Sequence, residues 1–128
     1  MQTLKRLVMS CLAILAMPIL AFSPMDYARS IELTASGYRG DAELFDFPAL
    51  VRLSPERVAN FNYADFKLPN GGDLRFTDAE GNLLMSEVDT WNESGESLVW
   101  VKLPSLKAGS KIVAYYGNAT PDEMTSTS

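Results

Sequence analysis

The sequence of 128 residues contains no histidine and one cysteine, Cys11. Without histidine, Ser-His-Asp and Cys-His catalysis are excluded, as is a zinc site built from the usual nitrogen and sulfur ligands. One cysteine cannot form a disulfide within the chain. Cys11 lies inside an apolar N-terminal run, where a small apolar residue is its ordinary reading. A lipidated Cys11 would need most of that run to precede it, and most follows it. Also missing are a GxGxxG fingerprint and a P-loop lysine. The turn PNGG at 69–72 lacks the Lys-Ser/Thr and the helix that a phosphate cradle needs, so no nucleotide and no cofactor is expected. No internal repeat is present.

Positive charge is scarce. The chain has 11 basic and 16 acidic residues, and setting aside Lys5 and Arg6 leaves 9 basic against 16 acidic from Phe22 onward, a net charge of −7. Nucleic-acid binding requires a basic surface to displace counterions, so it is excluded as a function class. The same balance argues against docking on anionic lipid head groups.

What is present begins with an export signal. MQTLKR is a short positive segment, and Leu7 to Phe22 is a continuous apolar run ending near small residues, the pattern of a cleavable signal peptide. The run is shorter than a spanning helix needs and is broken by Pro18, so a permanent anchor is the weaker reading. Cleavage is expected after Ala21. The expected organisation is a signal peptide at 1–21, one domain at 22–118, and a flexible tail or linker start at 119–128, in an extracytoplasmic (periplasmic or secreted) protein.

Beyond the signal, alternation of apolar and polar residues dominates. In SIELTA, Ile31, Leu33 and Ala35 share one face, which predicts a half-buried strand. In ELFDFPALVRL, the inward set is expected to be Phe45, Phe47, Ala49, Val51 and Leu53, and Pro48 assigns the strand to an edge or a bulge. Ser54 and Pro55 open a short helix or turn. DLRFTD, the turn AEGN and LLMSEVDTW predict a hairpin with Gly81 at positive φ. SLVWVKL and KIVAYYG are apolar on both faces, which predicts central strands covered on both sides. Turn-punctuated strands at this spacing predict an all-β, antiparallel, jelly-roll-like β-sandwich of about 7–8 strands.

Carboxylates are the abundant reactive groups. Glu87 and Asp89, two apart on a predicted strand, share a face at about 6.6 Å by strand rise. That overlaps the roughly 6.5–9.5 Å of an inverting glycosidase, although such pairs flank a cleft from different elements. Solvated surface carboxylates are the ordinary reading, with Arg75 as a cross-strand mate. Asp73, Asp78, Glu80 and Asn82 crowd one hairpin and form an oxygen-rich calcium candidate. Their spacing does not match an EF-hand, and Asp and Asn serve commonly as turn residues. Trp100, embedded in LVWVKL, reads as core. The core is the ordinary place for Trp91 as well, but beside the polar NESGE turn it is the better candidate for exposure.

The segments FPALVRLSP, Asn62-Tyr63-Ala64 leading to Asp65 and Phe66, DLRFTD, EVDTW, SLVWVKLP and YYGN resemble a bacterial domain-of-unknown-function family. It occurs in the extracytoplasmic N-terminal parts of MotA/TolQ/ExbB-type proton-channel proteins and in other secreted proteins, often ahead of a concanavalin-like (laminin-G) domain. The resemblance spans roughly residues 40 to 118 and implies an extracytoplasmic module, with no agreed activity to carry over. Members of the channel subgroup continue into membrane helices, whereas no spanning segment follows residue 22 here.

The expectation is therefore a non-catalytic binding or adaptor module meeting a glycan or an envelope protein, with Trp91, Glu87, Asp89 and Arg75 on the ligand face. A carbohydrate-active hydrolase using paired carboxylates and a purely structural assembly domain are the alternatives.

Overall fold

The computed structural model describes residues 22–124. The expected export signal at 1–21, and residues 125–128 of the expected tail, lie outside them. Among the described residues, no helix is long and apolar enough to cross a membrane.

Among the described residues seven strands form, β1 (Arg29–Thr34), β2 (Leu44–Leu53), β3 (Arg75–Asp78), β4 (Leu83–Leu84), β5 (Ser86–Thr90), β6 (Ser97–Leu106) and β7 (Lys111–Tyr116). All pair antiparallel, in a four-stranded sheet of order β1-β7-β3-β4 and a three-stranded sheet of order β2-β6-β5. This is the all-β sandwich that the turn spacing predicts.

The core follows from alternation. In the three-stranded sheet, Val51, Val99 and Val88 lie side by side in one row, and Val99 and Val101 are fully buried. The other sheet contributes Phe76, Ala114 and Leu84, again neighbours in register. Side chains of this size contribute about 1.5–3 kcal/mol each on full burial. Phe61 and Tyr116 complete this core.

Pro48 sits on an edge strand, as its missing N–H requires. Lys102, its partner on β6, gives its own amide to the Met85 carbonyl on the far side at 2.9 Å. The Pro48–Lys102 pair is therefore non-hydrogen-bonded, and the proline nitrogen faces away from the ladder.

The hairpin forms around Gly81 at φ 90, with Thr77 opposite Leu83. Ser54 opens a turn: its carbonyl accepts from Arg57 and Val58, and its hydroxyl accepts from Arg57 at 3.1 Å.

Three expectations are corrected. LLMSEVDTW is not one strand: β4 belongs to one sheet and β5 to the other, so the chain changes sheets at Met85, making a sandwich corner. Phe45 does not face the core. Asp46 has φ 51, which breaks the alternation, so Leu44 packs inward while Phe45 is 68% exposed. And although β6 and β7 are central as expected, the outer face of β6 is uncovered, with Trp100 43% exposed and Lys102 exposed.

The two ends of the described chain meet. Phe22 stacks on Tyr27 with centroids 5.2 Å apart and meets Tyr115 edge-on at 4.9 Å. The Tyr27 hydroxyl donates to Asp122 Oδ1 and accepts from the Asp122 amide, both at 3.0 Å. Within the segment expected to begin a flexible tail, Asp122 and Met124 contact the domain through Tyr27, Arg75 and Ser86.

Candidate functional site

The residues singled out from sequence do not fall together. Arg75 lies on β3 opposite Tyr115, in the other sheet from Glu87 and Asp89, and is only 8% exposed. Its Nε donates to the Asp122 carbonyl at 2.7 Å, and its Nη1 to the carbonyls of Gly72 and Leu74 at 3.0 and 2.8 Å. It is neither a cross-strand mate of the two acids nor part of a ligand face. The sheet change at Met85, not visible in the alternation, separates them.

Trp91 is half-buried and serves the core. Its ring meets Tyr63 at 5.3 Å and Phe66 at 4.9 Å, both edge-on, and its indole N–H donates to Glu93 Oε2 at 3.2 Å. Gly71, at φ 70, lies under the ring so closely that a Cβ there would stand 2.7 Å from it. Tyr63 holds the neighbouring turn: its hydroxyl lies 3.1 and 3.0 Å from the carbonyls of Leu53 and Gly95 and 2.9 Å from the Ser97 hydroxyl.

Asp73, Asp78, Glu80 and Asn82 are not gathered as ligands. Asp73 is fully buried. Its carboxylate accepts from the amides of Lys67, Leu68, Gly117 and Asn118 at 2.8 to 3.1 Å. Burial alone would raise this carboxyl, but the four donors outweigh it and hold the group below its ordinary value. Asp78 closes its own turn, accepting from the amides of Glu80 and Asn82 at 3.0 and 2.9 Å and from the Asn82 side chain at 3.0 Å. No group of three or more His, Cys, Asp or Glu side chains among the described residues is placed to hold a metal ion.

Glu87 and Asp89 do share the outer face of β5, both exposed. A register shift between Val88 and Thr90 sets Asp89 in a bulge, where it accepts from the Thr90 hydroxyl at 3.0 Å. In the same face, Glu87, Trp100 and Leu50 lie side by side across all three strands. Trp100 and Leu50 are 43% and 40% exposed. The sequence reading places Trp100 in the core. Alternation sets Trp100 on the face opposite Val99 and Val101, together with Lys102, but does not tell that this face is uncovered.

This face carries an exposed indole with carboxylates and an ammonium around it. It offers stacking and hydrogen bonding.

Residues 70–128 match a domain of unknown function, DUF2341. The matched segment contains Asp73, Trp91 and Trp100, and leaves out β1, β2 with Leu50, and the Lys67 and Leu68 amides of the Asp73 cradle. No curated protein matches the chain, and no solved structure does.

Proposed function

We propose that the chain is a non-catalytic extracytoplasmic binding module that holds a glycan on the outer face of its three-stranded sheet. The observation that carries this reading is Trp100. A large indole, 43% exposed on the central strand and flanked by Leu50 and Glu87, is costly to leave in water unless it has a partner. A pyranose ring presents an apolar C–H face to an indole and hydroxyls to the surrounding Glu87, Asp89 and Lys102. The apolar N-terminal run and the resemblance to extracytoplasmic parts of MotA/TolQ/ExbB-type proteins support the compartment. They also support an adaptor role beside the envelope.

The hydrolase reading has less support. Glu87 and Asp89 lie on an open face, whereas a general acid needs a desolvated site and a raised pKa. The displaced carboxyl, Asp73, moves the opposite way.

The test is saturable binding of the protein to a panel of cell-wall and plant polysaccharides, with Trp100→Ala as the control. Binding lost in that variant while its circular dichroism stays native supports the reading. No binding to any glycan, or binding that Trp100→Ala leaves intact, overturns it, and capture of an envelope protein through Trp100 would replace the sugar with a polypeptide.

A further inference from the structure

On the other side of β2 the sandwich is not closed. β1 and β2 are each the last strand of their sheet on that side, and between them opens a groove of about 1000 Å³. Its lining includes Leu33, Leu44, Val51, Val58, Leu106 and Ile112. Most of these are only half-buried although they pack against the core, so the apolar interior is incompletely covered here.

The mouth is not apolar. Arg52 and Arg57 line it, and they share one carboxylate. Arg57 Nε donates to Glu96 Oε2 at 2.6 Å, while Arg52 Nε stands 4.0 Å from Glu96 Oε1. Two guanidiniums face one carboxylate, and the Arg52 side chain, 53% exposed, keeps hydrogen-bonding capacity to spend. From Leu44 to Arg52 the groove wall along β2 runs roughly 26 Å at the usual strand rise, long enough for an extended acyl chain.

We propose that this groove binds a single-chain fatty acid, its carboxylate on Arg52 at the Arg52–Arg57 end and its chain along the half-buried residues toward Leu44 and Leu106. The two guanidiniums at that end select the ligand, because an apolar chain alone would need none; of the other charged groups in the lining, Asp78 and Glu80 are matched in number by Lys107 and Lys111. A guanidinium is also the side chain best shaped to take a carboxylate on two parallel N–H bonds. The groove meets the glycan face only along β2, where Leu50 borders both and Arg52 follows it on the same side of the strand; Trp100 and Glu87 are outside its lining, and the proposal does not depend on the glycan reading.

The experiment is calorimetric titration of the full chain, below the critical micelle concentration, with palmitate, hexadecanol and hexadecyltrimethylammonium in parallel. Palmitate is expected to bind one per chain, and Arg52→Glu to weaken it about tenfold or more while leaving hexadecanol unchanged. Ala49→Phe, which fills the groove, is expected to abolish both. Should that variant lose its native circular dichroism, Val58→Phe in the turn beside the sheets replaces it. Trp100→Ala is expected to leave palmitate binding intact, so failure of the glycan reading and failure of this one are separate results. The inference is overturned by absence of saturable palmitate binding, by equal affinity for the cationic amphiphile, or by palmitate binding that survives Arg52→Glu. Association with phosphatidylglycerol vesicles but not with palmitate monomer also overturns it.

Discussion

The carboxylate of Asp73 accepts the backbone amides of Gly117 and Asn118, which follow it by 44 and 45 positions, at 2.8 and 3.0 Å. The same group accepts from Lys67 and Leu68. One buried side chain therefore pins the loop before β3 to the exit of β7, joining two segments that the hydrophobic pattern leaves unrelated. Replacing it by asparagine removes the charge and turns one acceptor atom into a donor facing amides. Asp73→Asn is expected to lower stability by about 3 kcal/mol, read as a fall in the urea midpoint at pH 7 without a change in slope.

The same cradle sets an acid sensitivity. The folded-state pKa of Asp73 lies below its ordinary value of 3.8, so the unfolded chain binds this proton more readily than the folded one. The stabilisation is complete well above pH 3.8 and is lost as pH falls through that value toward the folded pKa. Urea midpoints measured between pH 6 and pH 2 should fall less steeply in Asp73→Asn than in the wild type. Parallel slopes would remove Asp73 from the account.

Tyr116 makes the opposite case. Its ring is fully buried and stacked on Phe66 at 4.4 Å and 11°. Its hydroxyl makes no hydrogen bond of good geometry among the described residues; burial raises its pKa, and the nearby Asn62 backbone offsets this only weakly. A buried hydroxyl without a partner costs about 1–3 kcal/mol of desolvation. Tyr116→Phe is therefore expected to match or exceed wild-type stability, whereas Tyr116→Leu loses the stacked ring and about 2 kcal/mol or more. Thermal melts of the two variants separate the contributions.

The two tryptophans should behave oppositely. Trp91→Ala removes a ring held by Tyr63, Phe66 and Gly71 and is expected to cost about 3 kcal/mol. Trp100→Ala removes an exposed ring and should change stability by less than about 1 kcal/mol. Fluorescence checks the assignment directly. The emission left in Trp100→Ala should be blue-shifted relative to that left in Trp91→Ala.

Gly71→Ala tests the packing beneath Trp91. The backbone there has φ 70, and an added methyl would stand 2.7 Å from the indole. Strain and displacement together should cost about 2 kcal/mol or more, with a red shift of the Trp91 emission. An unchanged spectrum would mean that the ring has room to move.

Much of the sandwich is legible in the sequence because alternation is a local signal. Ile31 and Leu33 turn inward as read, Gly81 closes the predicted hairpin, and Pro48 lies on an edge. What is not legible depends on single backbone angles and on sheet membership. The φ of Asp46 inverts the facing of Leu44 and Phe45. The sheet change at Met85 carries Glu87 away from Arg75, so the two acids keep their common face but lose their expected partner. Trp100 is a different kind of miss. Its neighbours are apolar enough to suggest burial on both sides, and nothing local says that no layer lies over β6. Asp73 is hidden for the reverse reason, since an acid beside a glycine turn reads as surface until the amides around it are seen.

The pairing of Tyr27 with Asp122 has a mechanical consequence. Residues 27 and 122 lie side by side, so the two ends of the described segment are clasped at one place and not held at opposite poles of the sandwich. Tension between residues 22 and 124 meets the Ser86–Met124 contact, the Arg75–Asp122 and Tyr27–Asp122 hydrogen bonds and the Phe22 stacking before it reaches β1 or β7. That clasp yields first, and the sandwich behind it stays intact.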